Sequence, residues 1–596
     1  MSKTIYFSIL LSISTLLFSC GESGGDTNSK TQENPETLIK GEGGRYLGGV
    51  LKVNSLDYYL SLFPASIADV YSQHITGQIH EGLLKFNQKT LEIEPCIAET
   101  YEIDAASKVY TFKLRKGVMF HDDECFEGGE GREVTAEDFK YVFEYLCSND
   151  KLNKSQYLIK DYIKGGKEYA DGSAKEVSGI KALDKYTFQI ELIEPFAGFT
   201  NILALTQTAV FPKEAIDKYG DDIKDKAVGS GPYILKSVSK DKVVLVKNYN
   251  YWAKDEFGNQ LPYIAEVDIT FDTDKSKELA AFNSGELDFV WGVPVSEIPN
   301  IMGSLDEAKE GKNREFKLQS INSLQTQYYG FLLTNEIFSD KKVRQAFNYA
   351  INRDTIINYV LEGEGEPAFH GIIPKMSGYP SETVKGYNFN PKLARKLFAE
   401  AGYPNGKGFP TVKLSYNNIG DVNQLIANTL KKQLFDVLGI NVEFQEFTTQ
   451  EINEKRELGE ISFWRYGWIA DFPDPSNFIG QFHSKHIIEG KKISINHGRY
   501  SNPVFDKYFD QAMSEIDEEK RMKLFAKAEQ VLIDDAAVIP IYHASEIRLV
   551  NPQLKNFSIN EIEYRDYSVC YFVEKVEEKK VRVYDNLVGE EEDIEE

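Results

Sequence analysis

The chain has 596 residues, 92 of them acidic against 68 basic, for a formal net charge of −24 at pH 7. That balance argues against a nucleic-acid partner, because phosphate recognition needs basic patches. Beyond one N-terminal segment no apolar run approaches the ~20 residues that cross a bilayer, and the length exceeds one compact core, so two or three domains are expected.

Lys3 precedes an apolar run from Ile5 to Phe18 that ends in "LLFSC" at Cys20. A basic start and a run too short to span a bilayer fit a secretory signal. Its terminal cysteine makes the segment resemble a bacterial lipoprotein signal. The resemblance implies removal of residues 1–19 and lipidation of Cys20, with Leu17 and Ser19 fitting the pattern and Phe18 less usual. An ordinary signal peptide with an incidental cysteine is the alternative. Residues 20–40 are polar and read as a flexible tether.

"VYTFKLRKG" places Tyr110, Phe112 and Leu114 on one face of a strand. Cys125 lies in the loop "HDDECFEGGEG". The helix "VTAEDFKYVFEYL" follows, with Thr135 and Asp138 suited to a capping box and Phe139, Val142, Phe143 and Leu146 on one stripe. Cys147 ends it. An exported chain meets oxidising conditions, so Cys125 and Cys147 are the candidate disulfide; the cysteine spacing does not suit a zinc knuckle. "DKYTFQIEL" is a second half-buried strand, and "VGSGPYILKSV" a Gly-Pro turn into a third, with Gly229 and Gly231 relieving the turn.

The second half turns to longer helices. "SDKKVRQAFNYAINRDTIINYVLEG" reads as helical from a capping Ser339, with Val343, Ala346, Phe347, Ala350 and Ile351 as its apolar stripe. "NPKLARKLFAEAG" stops at Gly402. "VNQLIANTLKKQLFDVLGINVEFQEF" is helix, glycine, strand, a rhythm typical of α/β layering. From Glu577 onward nine acidic residues face three basic ones, a solvated tail.

Reaction signatures are missing: the chain has no H-E-x-x-H and no phosphate loop. "FHSKH", with His483 and His486, reads as a solvated polar loop, and neither a metal nor a cofactor is called for. One segment stands out. "FWRYGWIADFPDPSNF", Phe463 to Phe478, sets aromatics beside carboxylates where prolines forbid a regular helix.

Several segments in shared order, from "QIHEGLLKFN" and "REVTAEDFKYVFEYL" through "VGSGPYILK", "DKKVRQAFNYAINRDTII" and "FNPKLARKLFAEAGYPNG" to "RYGWIADFPDPSNF", resemble the bacterial extracellular solute-binding proteins of family 5, the dipeptide- and oligopeptide-binding lipoproteins of ABC importers. The resemblance covers about Gly48 to Val576. It implies an α/β, two-lobed periplasmic-binding-protein-like fold (type II, cluster C-like) with an extra inserted domain. The first lobe would comprise residues 41–78, 205–318 and 546–584, the inserted domain 79–204, the second lobe 319–545 and the acidic tail 585–596, with two or three crossing strands as a hinge.

In peptide-binding members a W-x-x-D loop in the inter-lobe cleft receives the peptide's α-ammonium. Carried over, the carboxylate is Asp471 and the aromatic Trp468; Arg465 matches an arginine that meets a peptide carboxylate in some relatives, and Gly467 and Ile469 match positions whose main chain pairs with the peptide. Alternatives stay open: Trp468 as plain core, Asp471 as a turn residue, Arg465 paired within the protein. The implied partners are a short peptide, an ABC permease and, through lipid, the membrane, for a monomer without enzymatic activity in the cell envelope. Other members bind nickel complexes, sugars or opines, and a lipid-anchored hydrolase is the reading from a different class.

Overall fold

The computed structural model describes residues 34–297 and 316–574, apart from 419, 489, 491 and 494. The signal segment with Cys20, the first part of the tether and the acidic tail lie outside the described residues. Within them no helix is long and apolar enough to cross a membrane.

Three sheets organise the chain. The strands Tyr233–Val238, Lys242–Lys247, Glu266–Phe271 and Val50–Ser55 form the first, in that order, with the last pair parallel. A four-stranded antiparallel sheet follows from Ala98–Ile103, Val109–Leu114, Thr187–Glu191 and Ile180–Asp184. The largest sheet runs in the order Phe289–Val290, Val538–Val550, Lys317–Phe331, Phe463–Ile469, Val412–Asn417 and Val442–Phe447. Its last two strands are parallel, so helix Gly420–Leu438 must cross between them.

Alternation along the strands fills the cores as anticipated. Tyr110, Phe112 and Leu114 are buried, as are Phe188, Ile190 and Leu192. Thr135 and Asp138 form the capping box of helix Ala136–Cys147, whose stripe Phe139, Val142, Phe143 and Leu146 is fully enclosed. Gly229 and Gly231 serve a different need from the turn expected of them. A Cβ on Gly229 would lie 2.0 Å from the Ile79 carbonyl oxygen, so the two backbones approach too closely for a side chain.

Two long strands, Lys317–Phe331 and Val538–Val550, tie separate cores together. Leu549 and Val550 pack beside Val290 and Phe289, whereas Phe331, Ile539 and Ile541 belong to the cluster around Phe347, Leu414 and Phe463. Their pairing shifts register between Asn322 and Thr326, near the midpoint of the crossing. Side chains also join segments far apart in the chain. Thr449 Oγ1 donates to Asp57 Oδ2 at 2.8 Å, and Lys485 Nζ to the Tyr162 hydroxyl at 3.1 Å.

Several expectations need correction. Cys125 and Cys147 are both free thiols. Cys147 is the last residue of the 12-residue helix, about 18 Å long at 1.5 Å per residue. Cys125 sits by Asp123 and Glu214 at the other end, where Arg132 joins Asp138 to Glu214. Ser339 does not cap its helix; Asp340, one residue on, accepts from the Lys342 N–H. That helix also stops at Ala350, because Asn352 caps a new one, Arg353–Tyr359, by accepting from the Thr355 N–H at 3.2 Å. The break lets the buried Arg353 reach the Pro540 and Tyr387 carbonyls, at 2.6 and 3.0 Å. His483 is no solvated loop residue: its ring is buried, with Nε2 3.1 Å from Asp510 Oδ1.

Candidate functional site

The segment Phe463–Phe478 splits into a strand, a bend and a short helix. Phe463–Ile469 pairs antiparallel with Lys317–Phe331, placing Gly467 opposite Gln327 and Ile469 opposite Gln325. The Ala470 N–H donates to the Leu324 oxygen at 2.8 Å and the Leu332 N–H to the Ser462 oxygen at 3.0 Å. These two bonds set the phase of the ladder. Alternation then turns the N–H and C=O groups of Arg465, Gly467 and Ile469 away from the partner strand. On that outer side Val412–Asn417 meets the strand only through Ser415 and Trp464. From Gly467 to Ile469 the main chain therefore presents an open edge.

Past the edge, Asp474 caps helix Pro475–Ile479 and pairs with Arg521 at 2.6 Å, both side chains 6% exposed. Asp474 is thus a structural residue. The helix presents Asn477, whose Oδ1 accepts from Trp468 Nε1 at 2.8 Å and from the Asp471 N–H at 3.1 Å, while its Nδ2 donates to Asp471 Oδ2 at 3.2 Å. One neutral amide thereby positions both the tryptophan and the carboxylate.

Asp471 has no cationic partner among the described residues. Burial pushes its pKa above the ordinary carboxylate value, and hydrogen bonds from Asn477 and Gln207 pull it partway back. Burial, and then the Asp471 charge, raise the Tyr157 phenol well above its usual range. A carboxylate held half-enclosed by neutral groups gains most from an incoming cation, since nothing else compensates its desolvation.

Arg465 donates from Nη1 to Asn417 Oδ1 at 3.2 Å and from Nη2 to Gln327 Oε1, with no carboxylate in reach among the described residues. Its charge is felt at the hydroxyls of Tyr71, Tyr329 and Tyr542. Tyr71 comes from the helix Val70–Ile79, far from Arg465 in the chain. Gly467 completes the arrangement. A Cβ there would lie 2.7 Å from Gln327 Oε1, the atom that holds Arg465.

Comparison with known proteins places this geometry. The profile of the bacterial extracellular solute-binding proteins, family 5 (middle region), matches residues 92–489. The chain belongs to this family. The oligopeptide-binding protein OppA of Bacillus subtilis is 29% identical over 560 residues, 92% of this chain and 95% of that protein. The ABC transporter-associated binding protein DppA of Helicobacter pylori, in complex with the peptide STSA, superposes with a TM-score of 0.76 at 25% identity, covering 89% of this chain and 98% of that one.

The murein tripeptide binding protein MppA of Escherichia coli superposes with a TM-score of 0.77 at 25% identity, over 88% of this chain and 99% of that one; its unliganded open form reaches only 0.60. The fold is thus the two-lobed α/β architecture of these proteins.

In this solute-binding protein the structure brings Asp471, Trp468, Gly467, Ile469 and Arg465 onto one edge and its two flanks. Sequence reasoning missed Asn477, Gln327, Asn417, Gln207 and Tyr157. The four amides carry no charge or spacing that would have exposed them, and Tyr157 is one tyrosine among 34.

Proposed function

We propose that this protein captures a short peptide in the cleft between its lobes. The α-ammonium lies on Asp471, the peptide backbone pairs with the edge at Gly467 and Ile469, Trp468 walls the ammonium end, and Arg465 meets negative charge further along. One observation carries this reading: among the described residues, an open strand edge lies between a carboxylate without a cation and a guanidinium without a carboxylate. Backbone pairing of this kind gives affinity without reading side chains, as in strand addition. The relatives named for oligopeptides, and the DppA complex with a peptide, support it.

In this reading the lobes comprise residues 41–78, 205–318 and 546–584 on one side and 319–545 on the other, with 79–204 inserted. The two long strands flex where their register shifts, and ligand contacts to both lobes favour closure by their differential strength. Cys20 carries the lipid that holds the protein at the envelope, and a permease of the ABC class receives the peptide.

Titration calorimetry tests the binding step. Free peptides of two to five residues bind with dissociation constants near micromolar, equivalent to about 8 kcal/mol, and release no hydrolysis products; nickel complexes, sugars and opines do not bind. Binding of one of those solutes in place of peptides overturns the reading. Gly467→Val supplies a second check. Overpacking against Gln327 costs about 1–3 kcal/mol locally, so peptide affinity falls roughly tenfold or more while the melting temperature moves by only a few degrees. Unchanged affinity would remove the open edge from the site.

A further inference from the structure

Helix Ala136–Cys147 ends in a turn that contains Glu144 and no basic residue. The C-terminal end of a helix carries partial negative charge, so a carboxylate there is unfavourable unless a cation attends it. The neighbouring lysines are engaged elsewhere: Lys140 with Glu176 at 3.5 Å, and Lys151 with Asp221. Asp150 follows just past the helix. Glu144 Oε1 accepts from the Val177 N–H at 3.3 Å, and Asp150 Oδ1 from the Tyr145 hydroxyl at 2.8 Å and the Leu152 N–H at 2.9 Å. Each carboxylate keeps its other oxygen without a hydrogen bond, and neither has an ion-pair partner, among the described residues. Burial raises the Glu144 pKa, which the Val177 N–H and Lys140 offset only in part. A pocket of about 290 Å³ opens here, lined by Tyr141, Glu144, Tyr145, Ser148, Asp150 and Tyr169. Its walls are held from behind. Tyr145 packs on Phe63 and Phe211 with ring centroids 5.6 and 5.7 Å away, and Tyr141 on Phe211 at 6.1 Å.

We propose that this pocket binds an alkylammonium group, carried by a free amine or by a lysine side chain. Two carboxylates and a helix end supply negative potential, and no basic residue lines the pocket to cancel it. Three tyrosines add ring and hydroxyl surface, the combination that holds organic cations in aromatic cages. A primary ammonium uses both features: its N–H groups donate to the free oxygens of Glu144 and Asp150, and its methylenes lie along the rings. A bare metal ion is a poorer match, because no group of His, Cys, Asp and Glu among the described residues is arranged to hold one. The volume lies at the lower limit of small-molecule pockets, ~300 Å³, enough for a charged head and a short chain. None of the six residues hydrogen-bonds to the Phe463–Phe478 segment among the described residues, so the pocket is a second site and does not rest on the peptide reading.

The test follows n-butylammonium by ligand-observed NMR in the presence of the full chain, with n-butanol as its neutral match. Because Asp471 offers a carboxylate of its own, the titration is repeated in Asp471→Ala. Binding of n-butylammonium persists in that variant, is not shared by n-butanol, and weakens as salt rises. Glu144→Gln keeps an acceptor for the Val177 N–H. It weakens binding about tenfold, as for a half-enclosed charge losing its partner. Tyr169→Leu weakens it roughly two- to fivefold, the range of a cation–π contact near the surface. Both variants keep the wild-type melting temperature and peptide affinity, which separates the site from a fault in folding. Nα-acetyl-lysine methylamide that binds as tightly as n-butylammonium assigns the site to lysine side chains, and binding of the small amine alone assigns it to free amines. Absent binding, binding that disappears in Asp471→Ala, binding that n-butanol matches, or binding that Glu144→Gln leaves unchanged overturns the proposal and leaves peptide capture untouched.

Discussion

Asp471→Ala weakens peptide binding by about 2–5 kcal/mol, the range for a desolvated ion pair that loses one member. At 1.4 kcal/mol per decade this is roughly thirty- to several-thousandfold in dissociation constant. The size follows from the surroundings. The hydrogen bonds that Asn477 and Gln207 give Asp471 are neutral, so the substitution removes the negative charge beside Trp468. An ammonium entering the mutant cleft gives up its water and meets dipoles alone.

The pH dependence has a definite sign. Burial raises the Asp471 pKa in the ligand-free protein, whereas a bound ammonium favours the ionised form and lowers it again. Peptide affinity is therefore level above the raised pKa and falls as pH drops through it, by up to tenfold per unit, with proton release on binding in that window. Asp471→Ala abolishes this acid limb. Calorimetry across pH checks both statements: an unaltered affinity in the variant, or an acid limb that survives the substitution, removes Asp471 from the ammonium site.

Glu563→Ala destabilises the fold by about 3 kcal/mol or more, as expected when a buried ion pair is broken from one side. Glu563 is 1% exposed and pairs with both Arg548 and Arg565, whose side chains are 1% and 3% exposed. Arg565 also lies over the rings of Trp291 and Phe289, at 4.2 and 5.0 Å. Both guanidiniums are thus buried, and that of Arg565 lies among aromatic rings. Glu546 provides partial relief. Burial and the Glu563 charge push its pKa up to about 8; with Glu563 gone it ionises more readily beside Arg548. Relief of that kind holds the loss toward the low end of the 3–5 kcal/mol range. Urea unfolding measures it, with the exposed Glu382→Ala as a control expected to stay within about 0.5 kcal/mol of wild type. A Glu563→Ala chain as stable as the control would show that the triad contributes nothing net.

The Glu563 cluster illustrates what a sequence leaves unsaid. Arg548 lies on the long strand Val538–Val550, while Glu563 and Arg565 follow in an irregular stretch. No periodicity marks three charges as buried, because burial of a charge depends on partners that folding supplies. The site divides along the same line. The Trp468–Asp471 spacing and the flanking prolines pointed to a special loop, since their constraints are local. Gln207 and Asn477 reach Asp471 only through chain segments distant from one another or bent back by a cap, so their part in the site became visible with the tertiary contacts. The cysteines taught the converse: export to oxidising conditions suggested a bridge, and the rigid helix between Asp138 and Cys147 keeps the thiols apart.

By itself the sequence determined the local grammar of this protein: strand alternation around Phe112 and Phe188, the Thr135–Asp138 capping box, the helix–glycine–strand run ending at Phe447, and an unusual set of chemical types at residues 465–471. Each depends on forces acting within a few residues, namely side-chain direction, capping and chain stiffness. Only the tertiary structure decided which edge of the Phe463–Ile469 strand stays open, which carboxylates lack a cation, and which arginines lie buried. Those properties are set by what packs against each group, and desolvation by distant neighbours decides whether a charge is a structural tie or a place for a ligand.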